Sequence, residues 1–114
     1  DDHEKNHALL RQADGRYLLS PAFDMVPSAQ GLGYQAIEVG ERGTESSIDN
    51  ALTRASSYGL KKDAARAIAR EVAVVVEGWQ AHFRDAAVRG EDLAILSQYI
   101  DGGNLRSERR EFAR

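Results

Sequence analysis

Residues 1–28 read DDHEKNHALLRQADGRYLLSPAFDMVPS, and the architecture follows from their middle. In residues 7–20, HALLRQADGRYLLS, two short apolar segments flank Asp14-Gly15. That dipeptide favours the positive φ angles of a tight turn, so a β-hairpin is expected here. Pro21 ends the second strand, because it cannot donate to a ladder. Polar residues stand at both ends of the hairpin. Two motifs overlap before it, His3-Glu4-x-x-His7 and Asp1-x-x-x-x-Asn6, and Asp24 lies just beyond it.

The two motifs make different demands. Two histidines four residues apart can present zinc ligands on one helix face, with Glu4 beside them. A zinc hydrolase also needs that helix to continue, a third protein ligand and an open position for water. Here a hairpin signal follows directly. Asp14 and Asp24 are third ligands by type only, Asp14 being more simply a turn residue, and His82 reads as a packing residue beside Phe83. Phosphoryl transfer from ATP instead needs a carboxylate for the attacking hydroxyl and oxygen ligands for magnesium. Asp1 supplies the first, and Asn6 with Asp24, 18 residues later across the hairpin, supplies the second. This reading accounts for the polar residues and the strands together.

Beyond the hairpin, residues 21–43 carry both prolines and four glycines, with YQAIEV as a short candidate strand. A loop of this length in a compact domain is usually functional. From Thr44 the character is helical. TESSIDNALTRASSYG offers capping residues, an Ile48, Leu52 and Ala55 face, and Gly59 as a stop. Residues 61–88 are expected to form one long helix of roughly 40 Å at the usual rise. Its stripe is Ile68, Val72, Val75, Trp79 and Phe83, and Gly78 is a point of close packing or bending. EDLAILSQYI forms a last core helix through Leu93, Leu96 and Ile100, and NLRSERREFAR reads as a solvated helical extension. The fold class is mainly α (α+β), a hairpin followed by a small helical bundle.

With 114 residues, 42% hydrophobic and 29% charged, the chain has the composition of one globular domain. It has no apolar run of membrane-spanning length and no basic-then-apolar leader. The absence of cysteine excludes disulfides and thiolate metal sites and suits a reducing cytoplasm. A net charge of −3 supplies no basic field for phosphate backbones, so direct nucleic-acid binding is disfavoured.

DDHEKNHALL, the hairpin and YLLSPAFDMVPS together resemble the C-terminal kinase region of HipA-like toxins, the serine/threonine kinases of bacterial toxin–antitoxin pairs. The resemblance is specific over residues 1–28; later, only the order of helices agrees. It implies a part of a protein-kinase-like C-lobe, with residues 1–24 as catalytic loop, hairpin and metal-binding segment and 25–43 as an activation-type loop. Residues 44–101 would be a helical subdomain and 102–114 a charged tail. It also implies that Asp1 is the catalytic carboxylate, that Asn6 and Asp24 are Mg2+ ligands, and that His3 contacts the transferring phosphate or braces the loop backbone. Met25-Val26 after Asp24 departs from the Phe-Gly of ordinary protein kinases.

No glycine-rich phosphate loop or strand lysine is found in the 114 residues. The resemblance therefore implies a C-terminal fragment of a larger kinase that uses ATP and Mg2+, inactive alone and holding neither stably. Its implied partners are a HipB-like helix-turn-helix antitoxin and a protein substrate such as an aminoacyl-tRNA synthetase. Helices meant for absent segments would expose part of the Val72, Val75 and Trp79 stripe, which favours a homo-oligomer. The alternatives are a non-catalytic helical interaction module and, third, the zinc hydrolase.

Overall fold

Gly15, at φ +84°, lets the chain reverse between β1 (Leu9–Arg11) and β2 (Tyr17–Leu19). The strands are antiparallel, pairing Leu9 with Leu19, Leu10 with Leu18 and Arg11 with Tyr17. Asp14 holds the turn, its carboxylate accepting from the Arg16 amide at 3.0 Å and from Nε at 2.6 Å. These bonds, the backbone one first, pull the Asp14 carboxyl below its ordinary value. All six strand residues are exposed, leucines standing on both faces. The computed structural model describes residues 3–27 and 33–114.

The expected YQAIEV strand does not form. Single bridges join Tyr34 to Glu45 and Gly40 to Gly43, so the segment is one side of an irregular double-back. Its partners lie within the same short loop, which leaves no room for a ladder. That loop is built on α1 (Ile48–Thr53), capped by Ser47 Oγ, which accepts from the Asn50 amide. A 3-10 turn over Ala55–Tyr58 follows, and Gly59 at φ +70° stops it, as expected.

The long helix divides in two. α2 spans Lys62–Glu77 and α3 spans Trp79–Asp85, with Gly78 between them at φ −84° and ψ 2°. Glycine is a weak helix former, and the break lets Trp79 bury itself and donate from Nε1 to Asp101 at 3.2 Å. Phe83 meets the Trp79 ring edge-on at 5.6 Å. α4 spans Gly90–Ile100, with Leu93 buried and Leu96 and Ile100 half-buried on the anticipated face.

The tail is not a solvated extension. Leu105–Ala113 forms α5, packed on α2, with Arg109 and Phe112 buried. Arg66 stacks on the Phe112 ring at 5.0 Å. This docking reverses the expected orientation of α2. The helix lays Arg66, Arg70 and Glu77 against α5, buries its small Ala65 and Ala73, and leaves Ile68, Val72 and Val75 at 50–71% exposure. Of the stripe residues expected to show on the surface, Val72 and Val75 do, whereas Trp79 lies inside. Among the described residues no helix is long and apolar enough to cross a membrane.

Candidate functional site

Just before β1 the chain makes one 3-10 turn over Glu4–Asn6, closed by the Asn6 amide donating to the His3 carbonyl at 2.9 Å. A residue at the end of such a turn, next to a strand, is fixed relative to whatever returns alongside. β2 and Pro21 bring that return to Asp24. The Asn6 Nδ2 donates to Asp24 Oδ2 at 3.1 Å, joining two residues separated by 18 positions. Asp24 sits at φ +56°, the left-handed region that non-glycine residues adopt sparingly and aspartate more readily than most. Its carboxylate is solvent-facing and is followed by Met25 and Val26, both more than 70% exposed.

The structure thus brings together two of the four residues singled out from the sequence, Asn6 and Asp24. The third, His3, opens the same turn, half-buried in extended backbone. Its Nδ1 is enclosed, with no hydrogen-bond partner among the described residues. The fourth, Asp1, lies outside the described residues.

The geometry that zinc would require is not formed. The turn covers only Glu4–Asn6, and His3 and His7 flank it in extended conformations, at φ −145° and −122°. They therefore do not share a helix face. Among the described residues no group of three or more His, Asp or Glu side chains could hold a metal ion. Asn6 and Asp24 suit a different ion. An amide oxygen and a carboxylate are hard donors, the kind Mg2+ takes while keeping several of its waters. The two side chains meet across the hairpin through the amide nitrogen, Nδ2 to Oδ2.

Sequence reasoning missed the group that shapes the loop after the Asp24 segment. Asn50 is fully buried. Its Oδ1 accepts from the Arg42 amide at 2.9 Å, and its Nδ2 donates to the carbonyls of Gly43 at 3.1 Å and Glu45 at 2.8 Å. Gly40 packs so tightly on it that a Cβ there would lie 1.9 Å from the Asn50 carbonyl oxygen. Arg42 forks onto both Glu45 oxygens, which lowers the Glu45 carboxyl and raises the Arg42 guanidinium. The signal was present as Gly40-x-x-Gly43 followed by an asparagine in the first helical turn, though many turns share that pattern.

An open groove of about 720 Å³ runs beside α2 and the end of α5, lined by Arg66, Arg70, Val74, Val75 and Phe112 among others. Two of its cations are engaged, Arg66 on Phe112 and Arg70 on the Arg114 backbone oxygen.

Compared with known proteins, the chain matches the family described as the HipA-like C-terminal domain over residues 1–79. No curated protein and no solved structure matches it.

Proposed function

The chain belongs to the HipA-like C-terminal domain family, and on that basis we propose that its first 24 residues are the metal-binding half of a serine/threonine kinase site. The observation that carries this reading is the Asn6–Asp24 hydrogen bond, 3.1 Å across the hairpin. It sets two oxygen-bearing side chains at one point, as a magnesium-nucleotide site needs.

In the proposed reaction a serine or threonine hydroxyl attacks the γ-phosphorus of ATP, the bond to the bridging oxygen breaks, and ADP leaves. Asp1 orients the hydroxyl and takes its proton. Asn6 and Asp24 hold Mg2+, which supplies positive charge against the phosphate oxygens. His3 offers an N–H to the transferring phosphoryl group. The hairpin keeps Asn6 and Asp24 in register, so its strands serve positioning. Adenine and the remaining phosphate contacts would come from a small lobe whose motifs these 114 residues do not contain. The proposed partners are a HipB-like helix-turn-helix antitoxin and, as substrate, a translation protein such as an aminoacyl-tRNA synthetase.

The test is a Mg2+ titration of the 114-residue chain followed through its amide resonances. Weak, millimolar shifts centred on Asn6 and Asp24, lost in Asp24→Ala, support the site. Shifts absent at 50 mM Mg2+, or unchanged in Asp24→Ala, overturn it.

A second reading, a helical interaction module, is favoured by one observation, the exposed Ile68, Val72 and Val75 row on α2. Self-association through that row is the proposed form of it.

A further inference from the structure

Glu108 stands in α5, and its Oε1 accepts from the Ile48 amide at 2.7 Å, 60 residues away in the chain. Ile48 is the first residue of α1. The first N–H groups of any helix have no partner within it, and a negative charge is favoured at that end. α1 is therefore capped from two directions. Ser47 Oγ, within its own segment, serves the Asn50 amide at 3.1 Å, and Glu108, from the far end of the chain, serves the Ile48 amide.

The loop of residues 40–47 hangs on that same start. Asn50 holds Arg42, Gly43 and Glu45 by their backbone atoms, and Gly40 rests on its carbonyl. Thr53 completes the arrangement, its hydroxyl donating to the Asn50 carbonyl at 2.6 Å and accepting from the Glu41 amide at 2.8 Å. α5 is itself anchored by other contacts, Arg109 to Glu77 and the Ile100 carbonyl, and Phe112 under Arg66. The Glu108 contact can accordingly be cut without releasing the helix.

We infer that Glu108 is a positioning residue, through which the C-terminal helix holds the residue 40–47 loop in its folded shape. α5 lies beyond residue 79, where the family match ends, yet it governs a loop within the matched span. In the proposed kinase, residues 40–43 are the end of the region expected to act as an activation-type loop, so the same contact would hold the C-terminal end of that region. The coupling does not depend on phosphoryl transfer, and its test reads no activity.

Amide hydrogen exchange in the 114-residue chain decides the matter. In Glu108→Ala the amides of Ile48, Arg42, Gly43 and Asn50 are expected to exchange about tenfold faster, while Phe112 in α5 and the hairpin amides keep their rates. Glu108→Gln retains an accepting oxygen and is expected to restore most of the protection. Unchanged exchange at Arg42 and Gly43 in Glu108→Ala overturns the coupling. So does a Glu108→Gln chain that behaves like the alanine variant, or a loss of protection throughout α5, since the helix would then be what failed. If Glu108→Ala yields no folded chain, Glu108→Asp, one methylene too short to reach Ile48, reads the same four amides against the same control.

Discussion

The guanidinium of Arg109, on α5, pairs with the Asp101 carboxylate just after α4, and both side chains are more than nine-tenths buried. The same arginine donates to Glu77 at the end of α2 and to the Ile100 carbonyl, and Asp101 also accepts from the Trp79 indole. One side chain therefore ties α5 to the ends of α2 and α4 and, through Asp101, to Trp79 at the start of α3.

Removing one partner of such a buried pair strands the others. Arg109→Ala is expected to destabilise the chain by about 3–5 kcal/mol, because the largely buried Asp101 carboxylate loses its countercharge. Urea unfolding measures it. Arg106→Ala, on the exposed side of the same helix, is expected to change stability by less than about 0.5 kcal/mol.

Acid should loosen the same joint. The Arg110 guanidinium, and then Arg109, hold the Glu77 carboxyl below its usual 4.5, against the opposing effect of burial. A carboxyl lowered in the folded state stabilises the fold above its unfolded value. That contribution is lost as pH falls from about 4.5 through the lower folded value. Unfolding midpoints from pH 7 to pH 3 should drop over that window, and Glu77→Gln should flatten the drop while lowering stability at pH 7.

Two glycines should respond oppositely to alanine. At Gly40 a Cβ would sit 1.9 Å from the Asn50 carbonyl oxygen, so Gly40→Ala must push the loop off α1. A cost of about 1–3 kcal/mol is expected. At Gly78 the nearest atom is 3.4 Å away and φ is negative, so Gly78→Ala should be neutral or stabilising by up to about 1 kcal/mol. Thermal unfolding of the two variants separates them.

If the proposed kinase reading holds, Asn6→Ala and Asp24→Ala, in a chain that carries the proposed small lobe, are each expected to lower phosphate transfer on the order of 10²–10³-fold with little change in thermal stability, since neither residue is buried. A radiolabelled phosphate assay reads the loss. Activity within twofold of the parent would remove Asn6 and Asp24 from the site.

The exposed face of α2 makes its own prediction. A Val72→Ser, Val75→Ser chain should unfold within about 0.5 kcal/mol of the parent, because neither side chain is in the core. It should sediment as a smaller species if that face joins two copies. A parent chain that stays monomeric at high concentration excludes the association.

Local signals carried the front of the molecule. Asp14-Gly15 between leucine pairs dictates a hairpin by backbone preference alone, and strand length then sets Asn6 opposite Asp24. Gly59 and the Leu93, Leu96 and Ile100 face were legible for the same reason, since a left-handed stop and a helical period are written in neighbouring residues. The tertiary structure decided which side of α2 would be inside. Period alone favours Ile68, Val72 and Val75, yet α5 docks on the Arg66, Arg70 and Glu77 side, because a buried Arg109 and a stacked Phe112 depend on residues more than thirty positions away. Likewise nothing near Glu108 announces Ile48, and the Gly40-x-x-Gly43 pattern before Asn50 is too common to single it out as the most enclosed polar side chain among the described residues. Sequence by itself determined the hairpin; only the folded chain showed Asn6 bonded to Asp24 and decided that a charged tail would become its central brace, since burying arginine is favourable only where carboxylates from two other helix ends already wait.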